Sequence, residues 1–169
     1  MRKENEVKVI RKTTIDIQAA GIATGDELMI DGALWRALRI KDGKALIWKH
    51  TGLDQETVFN ENNSNVYEGS DLQNAMKALP IPEELHDLIT GEGFFALSIE
   101  EIRELLPTEN DRIAIDKEGN TVWWWTRSAH RGYGYLAWYV IPSGAVIRDR
   151  YGAAGSSLAL APACEISII

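Results

Sequence analysis

Two Asp-Gly dipeptides, Asp31-Gly32 and Asp42-Gly43, constrain this chain more than any other feature. They separate three β-prone runs: Glu27-Leu28-Met29-Ile30, then Leu34 to Ile40, then Lys44-Ala45-Leu46-Ile47-Trp48. A type I′ two-residue hairpin turn needs positive φ at both central positions, which Asp-Gly tolerates and which matches the twist of antiparallel strands. The pattern predicts three successive antiparallel strands. Trp35 and Trp48 fall inside those strands and are expected in the core.

Helices are announced by their caps. Ser70-Asp71-Leu72-Gln73 and Ser98-Ile99-Glu100-Glu101 both have the form of a capping box, in which a serine accepts from the third amide and Gln or Glu reaches back. The first helix should stop before Pro80 and Pro82, the second before Pro107. Pro82 to Ile89 offers a short helical turn, and His86 within it reads as a surface residue. Between the strands and the first helix lies Asn60-Glu61-Asn62-Asn63-Ser64-Asn65, which reads as a solvated loop because calcium-loop carboxylate spacing is absent.

The second half is predicted as hairpins. Ile113-Ala114-Ile115 pairs with Thr121 to Trp125 across the turn Asp116–Asn120, and Ala137–Ile141 pairs with Ala145-Val146-Ile147 across Pro142-Ser143-Gly144. The run Val122-Trp123-Trp124-Trp125 does not alternate, so it predicts a strand buried on both faces. Gly152–Ser157 reads as a loop and Leu158–Ile169 as one or two closing strands. Val7–Ile17 reads as one or two further strands.

Of six Trp, five Tyr and three Phe, eight fall between Trp123 and Tyr151, interleaved with Gly, Ser and Arg. Tyr and Trp give large contact area at low entropy cost, so this composition suits a recognition surface. It also suits a buried strand followed by glycine loops.

The totals exclude several classes. A net charge of -7 gives no basic footprint for nucleic acid. The one cysteine, Cys164, excludes an internal disulfide or multi-cysteine zinc site and reads as a small buried hydrophobe. No apolar run reaches membrane-spanning length, and no signal peptide is read at the start, so a soluble chain is expected. The compartment stays open between cytoplasm and phage particle. His50, His86 and His130 form no metal motif, and neither a nucleophile elbow nor a phosphate-binding loop occurs. No enzyme activity, cofactor or metal is expected.

Several short motifs, in order, resemble a known family. They are Trp35-Arg36-Ala37-Leu38, Asp42-Gly43-Lys44-Ala45-Leu46, Ser70-Asp71-Leu72, Phe95-Ala96-Leu97-Ser98, Trp124 to Ser128, Tyr139-Val140 with Gly144, and Pro162-Ala163. From about Gly25 to Ile169 the chain resembles C-type-lectin-like domains of uncharacterised bacterial and phage proteins. It is similar among these to the variable proteins of diversity-generating retroelements, whose C-terminal segment is rewritten by adenine-directed mutagenesis. The resemblance implies an α+β, C-type-lectin-like mixed fold with antiparallel strands, two helices and a long C-terminal loop and strand region for binding. It implies one domain over 1–169: an N-terminal strand extension (1–24), a scaffold (25–122) and a variable, ligand-binding segment (123–169).

On this reading Trp124, Trp125, Tyr139 and Val140 are frame, and Arg127 and Ser128 tie the loop entrance by hydrogen bonds. The expected ligand-binding residues are His130, Arg131, Tyr133, Tyr135, Trp138, Ile147, Arg148, Arg150 and Tyr151. The implied partner is a protein or cell-surface ligand. Two alternatives stand beside it: a structural component of a phage or secreted particle, and a calcium-independent carbohydrate-binding module. A homo-oligomer stays open. The chain departs from the family at Thr126, where leucine is usual, and at Ala161, where arginine often precedes the proline; the second bears on how the closing strand is anchored.

Overall fold

A computed structural model describes residues 21–147 and 155–168. The expected strands within Val7–Ile17 lie outside the described residues.

The Asp-Gly turns organise the first sheet. Asp31 and Gly32 take φ of 52° and 76°, and Asp42 and Gly43 take 54° and 76°, the left-handed pair that a tight hairpin requires. They join β1 (Glu27–Ile30), β2 (Ala33–Lys41) and β3 (Lys44–Lys49) in antiparallel register, Ile30 opposite Ala33 and Lys41 opposite Lys44. The closing strand β10 (Ala163–Ser167) pairs antiparallel with β3 on one side and with β5 (Ile89–Phe95) on the other. The order is β1-β2-β3-β10-β5.

The strand β5 differs from the sequence expectation, which placed only a helical turn before Gly91. That turn exists, as a 3-10 segment at Glu83–Leu85, but a strand follows it. Gly91 and Gly93 sit in β5 at φ of 69° and 87°, on the sheet edge. Glycine weakens intrinsic strand preference, so pairing with β10 decides the conformation there.

A second sheet is ordered β4-β9-β6-β7-β8. Its members are β4 (Glu56–Thr57), β6 (Trp124–Ala129), β7 (Ala137–Val140), β8 (Val146–Ile147) and β9 (Leu158–Ala159). The expected β7–β8 hairpin forms. Antiparallel pairing was expected throughout, yet β6 and β9 run parallel: the β7–β8 hairpin takes one flank of β6, and the short β9 returns on the other. The expected hairpin over 113–125 shrinks to a single bridge between Ile115 and Thr121, and β6 begins only at Trp124.

Helix α1 (Asp71–Ala78) starts at Ser70, whose hydroxyl accepts from Gln73 N–H. The reciprocal bond is shifted by one residue, Gln73 Oε1 accepting from Gly69 N–H at 2.7 Å, because the Ser70 N–H already donates to Tyr67 O. Helix α2 (Ile99–Leu105) has the complete box at Ser98 and Glu101. The fold is α+β.

Two hydrophobic clusters lie on opposite faces of β6. Trp125 packs with Leu28, Trp35, Phe59, Leu72, Met76 and Tyr139. Its neighbour Trp124 packs with Trp48, Ile102, Leu106 and Val140. Successive strand residues point to opposite faces, so an unalternated Trp-Trp pair fits only a strand covered on both sides. Ala161 is fully buried in the second cluster, and the chain beside it is anchored through its backbone, Lys49 N–H donating to Pro162 O at 2.9 Å. Cys164 is buried, and that burial pushes its thiol far up from its ordinary value, leaving it an unreactive hydrophobe. Among the described residues no helix is long and apolar enough to cross a membrane.

Candidate functional site

The frame of the expected binding segment lies in the core. Trp124, Trp125, Tyr139 and Val140 are completely buried. Beyond them β6 is stapled to the start of α2. Arg127 donates from Nη1 to Ala96 O at 2.6 Å and to Glu101 Oε1 at 2.8 Å, with its guanidinium 5.6 Å from the centre of the Phe95 ring. Ser128 Oγ accepts from Ile99 N–H at 2.8 Å, satisfying an amide that the helix start leaves without an internal partner. Glu101 serves twice, closing the capping box and pairing with Arg127.

From this base the β6–β7 connection, residues 130–136, projects as a turn. His130 N–H donates to Leu136 O at 2.9 Å, and Leu136 N–H donates to Tyr133 O at 3.2 Å. His130 Nδ1 accepts from Gly132 N–H, so this ring holds the turn rather than a ligand atom at that nitrogen. The strongest restraint comes from outside. Asn65 is buried, and its Nδ2 donates to the carbonyls of Leu136 (2.8 Å), Tyr133 (2.9 Å) and His130 (3.1 Å). Its backbone N–H donates to Gly134 O at 2.8 Å. Asn65 is therefore an exception to the solvated loop expected over Asn60–Asn65. Nothing local could have distinguished it from the neighbouring asparagines, because its partners lie about seventy residues on.

Four of the expected contact residues come together here. His130 and Tyr133 ring centres are 5.2 Å apart and edge-on, and those of Tyr133 and Tyr135 are 5.9 Å apart. Tyr133 is 54% exposed and Tyr135 45%, and Arg131 is exposed beside them. Val66, next to the anchoring Asn65, is 58% exposed and is a residue the sequence reading missed. No Asp or Glu occurs from Gly119 to Arg148, so the loop is locally acid-free on a chain of net charge -7.

The other expected residues are placed differently. Trp138 is half-buried on the α2 side of β7, with the Arg103 guanidinium 5.1 Å from its ring centre. Ile147 pairs with Tyr139 and packs against the first core cluster, because a residue opposite an inward tyrosine shares its face. Arg148, Arg150 and Tyr151 lie outside the described residues. Tyr67 reinforces the frame by accepting from Ala96 N–H, and burial raises its phenol above the ordinary value.

Among the described residues no three His, Cys, Asp or Glu side chains gather as a metal-ligand set. No family model matches this chain, and no curated protein or solved structure matches it.

Proposed function

We propose that this chain is a non-enzymatic ligand-binding protein that grips a protein or cell-surface partner with the turn between β6 and β7. The observation behind this reading is the pair Tyr133 and Tyr135, half-exposed on a turn whose carbonyls are pinned by Asn65. Exposed aromatics held on a fixed backbone lose little entropy when a partner covers them. The residues able to make contact are then His130, Arg131, Tyr133 and Tyr135, with Trp138 and Arg103 at the α2 edge.

On the same reading the fold is C-type-lectin-like, and the segment from 123 onward is the variable region of a diversity-generating retroelement protein. Two helices, a mixed frame and a loop-bearing second sheet support the first part. The division between buried frame and exposed turn within one short segment supports the second, since diversification needs side chains that can change without cost to folding.

The experiment applies the labelled chain and its Tyr133→Ala/Tyr135→Ala variant to arrayed bacterial surface proteins. Binding by the parent that the variant loses is the expected result. Equal binding by both would remove this face from consideration.

A further inference from the structure

The turn at Asp31-Gly32, the end of β3, the Leu79–Glu84 segment and the Ile115–Gly119 turn enclose a groove of about 810 Å³. That size suits a small molecule. None of residues 123–147 lines it. Its apolar wall is Leu79, Pro80, Ile81, Phe94 and Pro162, with Trp35 against Phe94 at 5.8 Å between ring centres. Ile81 is 39% exposed, an apolar side chain left open at this groove.

Two polar groups here lack the partners that buried groups normally have. Trp35 is 2% exposed, its indole N–H has no acceptor among the described residues, and that nitrogen is closed to solvent, so the ring backs the groove wall and reports on what lies against it. Lys49 is half-buried, and its ammonium makes no ion pair with a described residue. Burial pushes the Lys49 pKa below its ordinary value, outweighing the charges of Asp54 and Asp31. Asp54 could have answered Lys49 but is held by Lys117 at 2.8 Å.

The remaining carboxylates fix the character of the ligand. Asp116 accepts from Glu118 and Asn120 N–H within its own turn, and Glu84 accepts from Asp31 N–H. Asp31 and Glu83 are exposed at the groove. A simple anion would meet Lys49 but be repelled by this acidic rim. A zwitterion brings its own cation for the rim, and an apolar body suits the proline wall.

We infer that this groove binds an apolar zwitterion of amino-acid or dipeptide size, its carboxylate toward Lys49, its apolar body on the proline wall backed by Trp35, and its ammonium toward Asp31 and Glu83. The site is separate from the aromatic turn, so its success or failure leaves that reading untouched.

The test titrates the full chain with leucine and leucyl-leucine, and with N-acetyl-leucyl-leucine and leucyl-leucine amide. It uses calorimetry and the indole ¹⁵N–¹H resonance assigned to Trp35 by W35F. Binding of leucine or leucyl-leucine that moves the Trp35 resonance, and that either blocked form weakens about tenfold or more, is expected. Lys49→Met, an apolar replacement of similar length checked for folding by its thermal melt, should weaken binding to a similar degree. A Trp35 resonance unmoved by any of the four, or blocked forms that bind as well as the free one, would overturn the proposal. So would full affinity in a folded Lys49→Met chain.

Discussion

The side-chain amide of Asn65 donates to the carbonyl of Leu136 at 2.8 Å, joining the first polar loop to the far end of the β6–β7 turn. Two hydrogens on Nδ2 serve three carbonyls, so this one side chain substitutes for a missing strand edge. Asn65→Ala should cost about 2 kcal/mol in chemical denaturation, since it removes three bonds at a buried position, while Leu136 O and Tyr133 O keep their backbone donors. Asn65→Asp should cost more, because it sets a carboxylate against carbonyl oxygens. Equal stability of both variants with the parent would show that the turn holds itself.

Tyr133→Ala and Tyr135→Ala should each change stability by less than about 1 kcal/mol, because the rings lie on the surface and meet only each other and the His130 ring among the described aromatics. Against a partner the same truncations should cost about 2 kcal/mol or more at the centre of the face. Denaturation and binding measured on the same preparations separate the two effects.

The staple between β6 and α2 predicts a graded series. Ser128→Ala should cost about 1 kcal/mol by leaving Ile99 N–H without its acceptor. Arg127→Met should cost about 2 kcal/mol, since two bonds from one nitrogen are lost. Together with Glu101→Gln, Arg127→Met should show a double-mutant coupling energy, measured by urea unfolding.

Gly144 and Gly134 flank the same strand, yet should respond oppositely to alanine. A Cβ on Gly144 would lie 1.9 Å from Glu109 O, at a φ of +94°. Gly144→Ala should cost about 3 kcal/mol or more. Gly134 meets nothing within 4 Å and its φ is not positive, so Gly134→Ala should be near neutral. Thermal melts of the two variants check this directly.

Acid should act through Glu27. Burial raises its carboxyl, but the bonds and charges of His50 and Arg36 outweigh burial and hold it below its ordinary value of 4.5. Its folded pKa is therefore depressed, and its contribution is full above the unfolded value and fades as pH falls through the folded one. Glu27→Gln should be less stable than the parent near neutrality, with the gap closing below about pH 4.5. A gap constant from pH 7 to pH 3 would contradict this role.

What could be read from sequence was local. Asp31-Gly32 and Asp42-Gly43 announce turns because positive φ is a property of those residues themselves. Ser98 and Glu101 announce a helix because both halves of the cap lie within four residues. Trp124-Trp125 announces two-sided burial because alternation is the only alternative for a strand. Strand β5 was not legible, since Gly91 and Gly93 argue against a strand that β10 nonetheless imposes. Asn65 was not legible for the opposite reason: its sequence neighbours look alike, and only tertiary structure selects one of them. The expected contact list mixed His130, Arg131, Tyr133 and Tyr135 with Ile147, because aromatic density along the chain does not say which way each strand residue points.

The measurement that tests the central reading most directly is a comparison of the DNA encoding about Ala129–Ala161 with the DNA on either side of it. A near-copy beside a reverse transcriptase, differing only at adenines, is the expected result. Those differences should fall in codons for His130, Arg131, Tyr133 and Tyr135 and spare those for Tyr139 and Val140. A flanking region without such a copy, or a copy whose differences strike the buried frame as often as the turn, would contradict it.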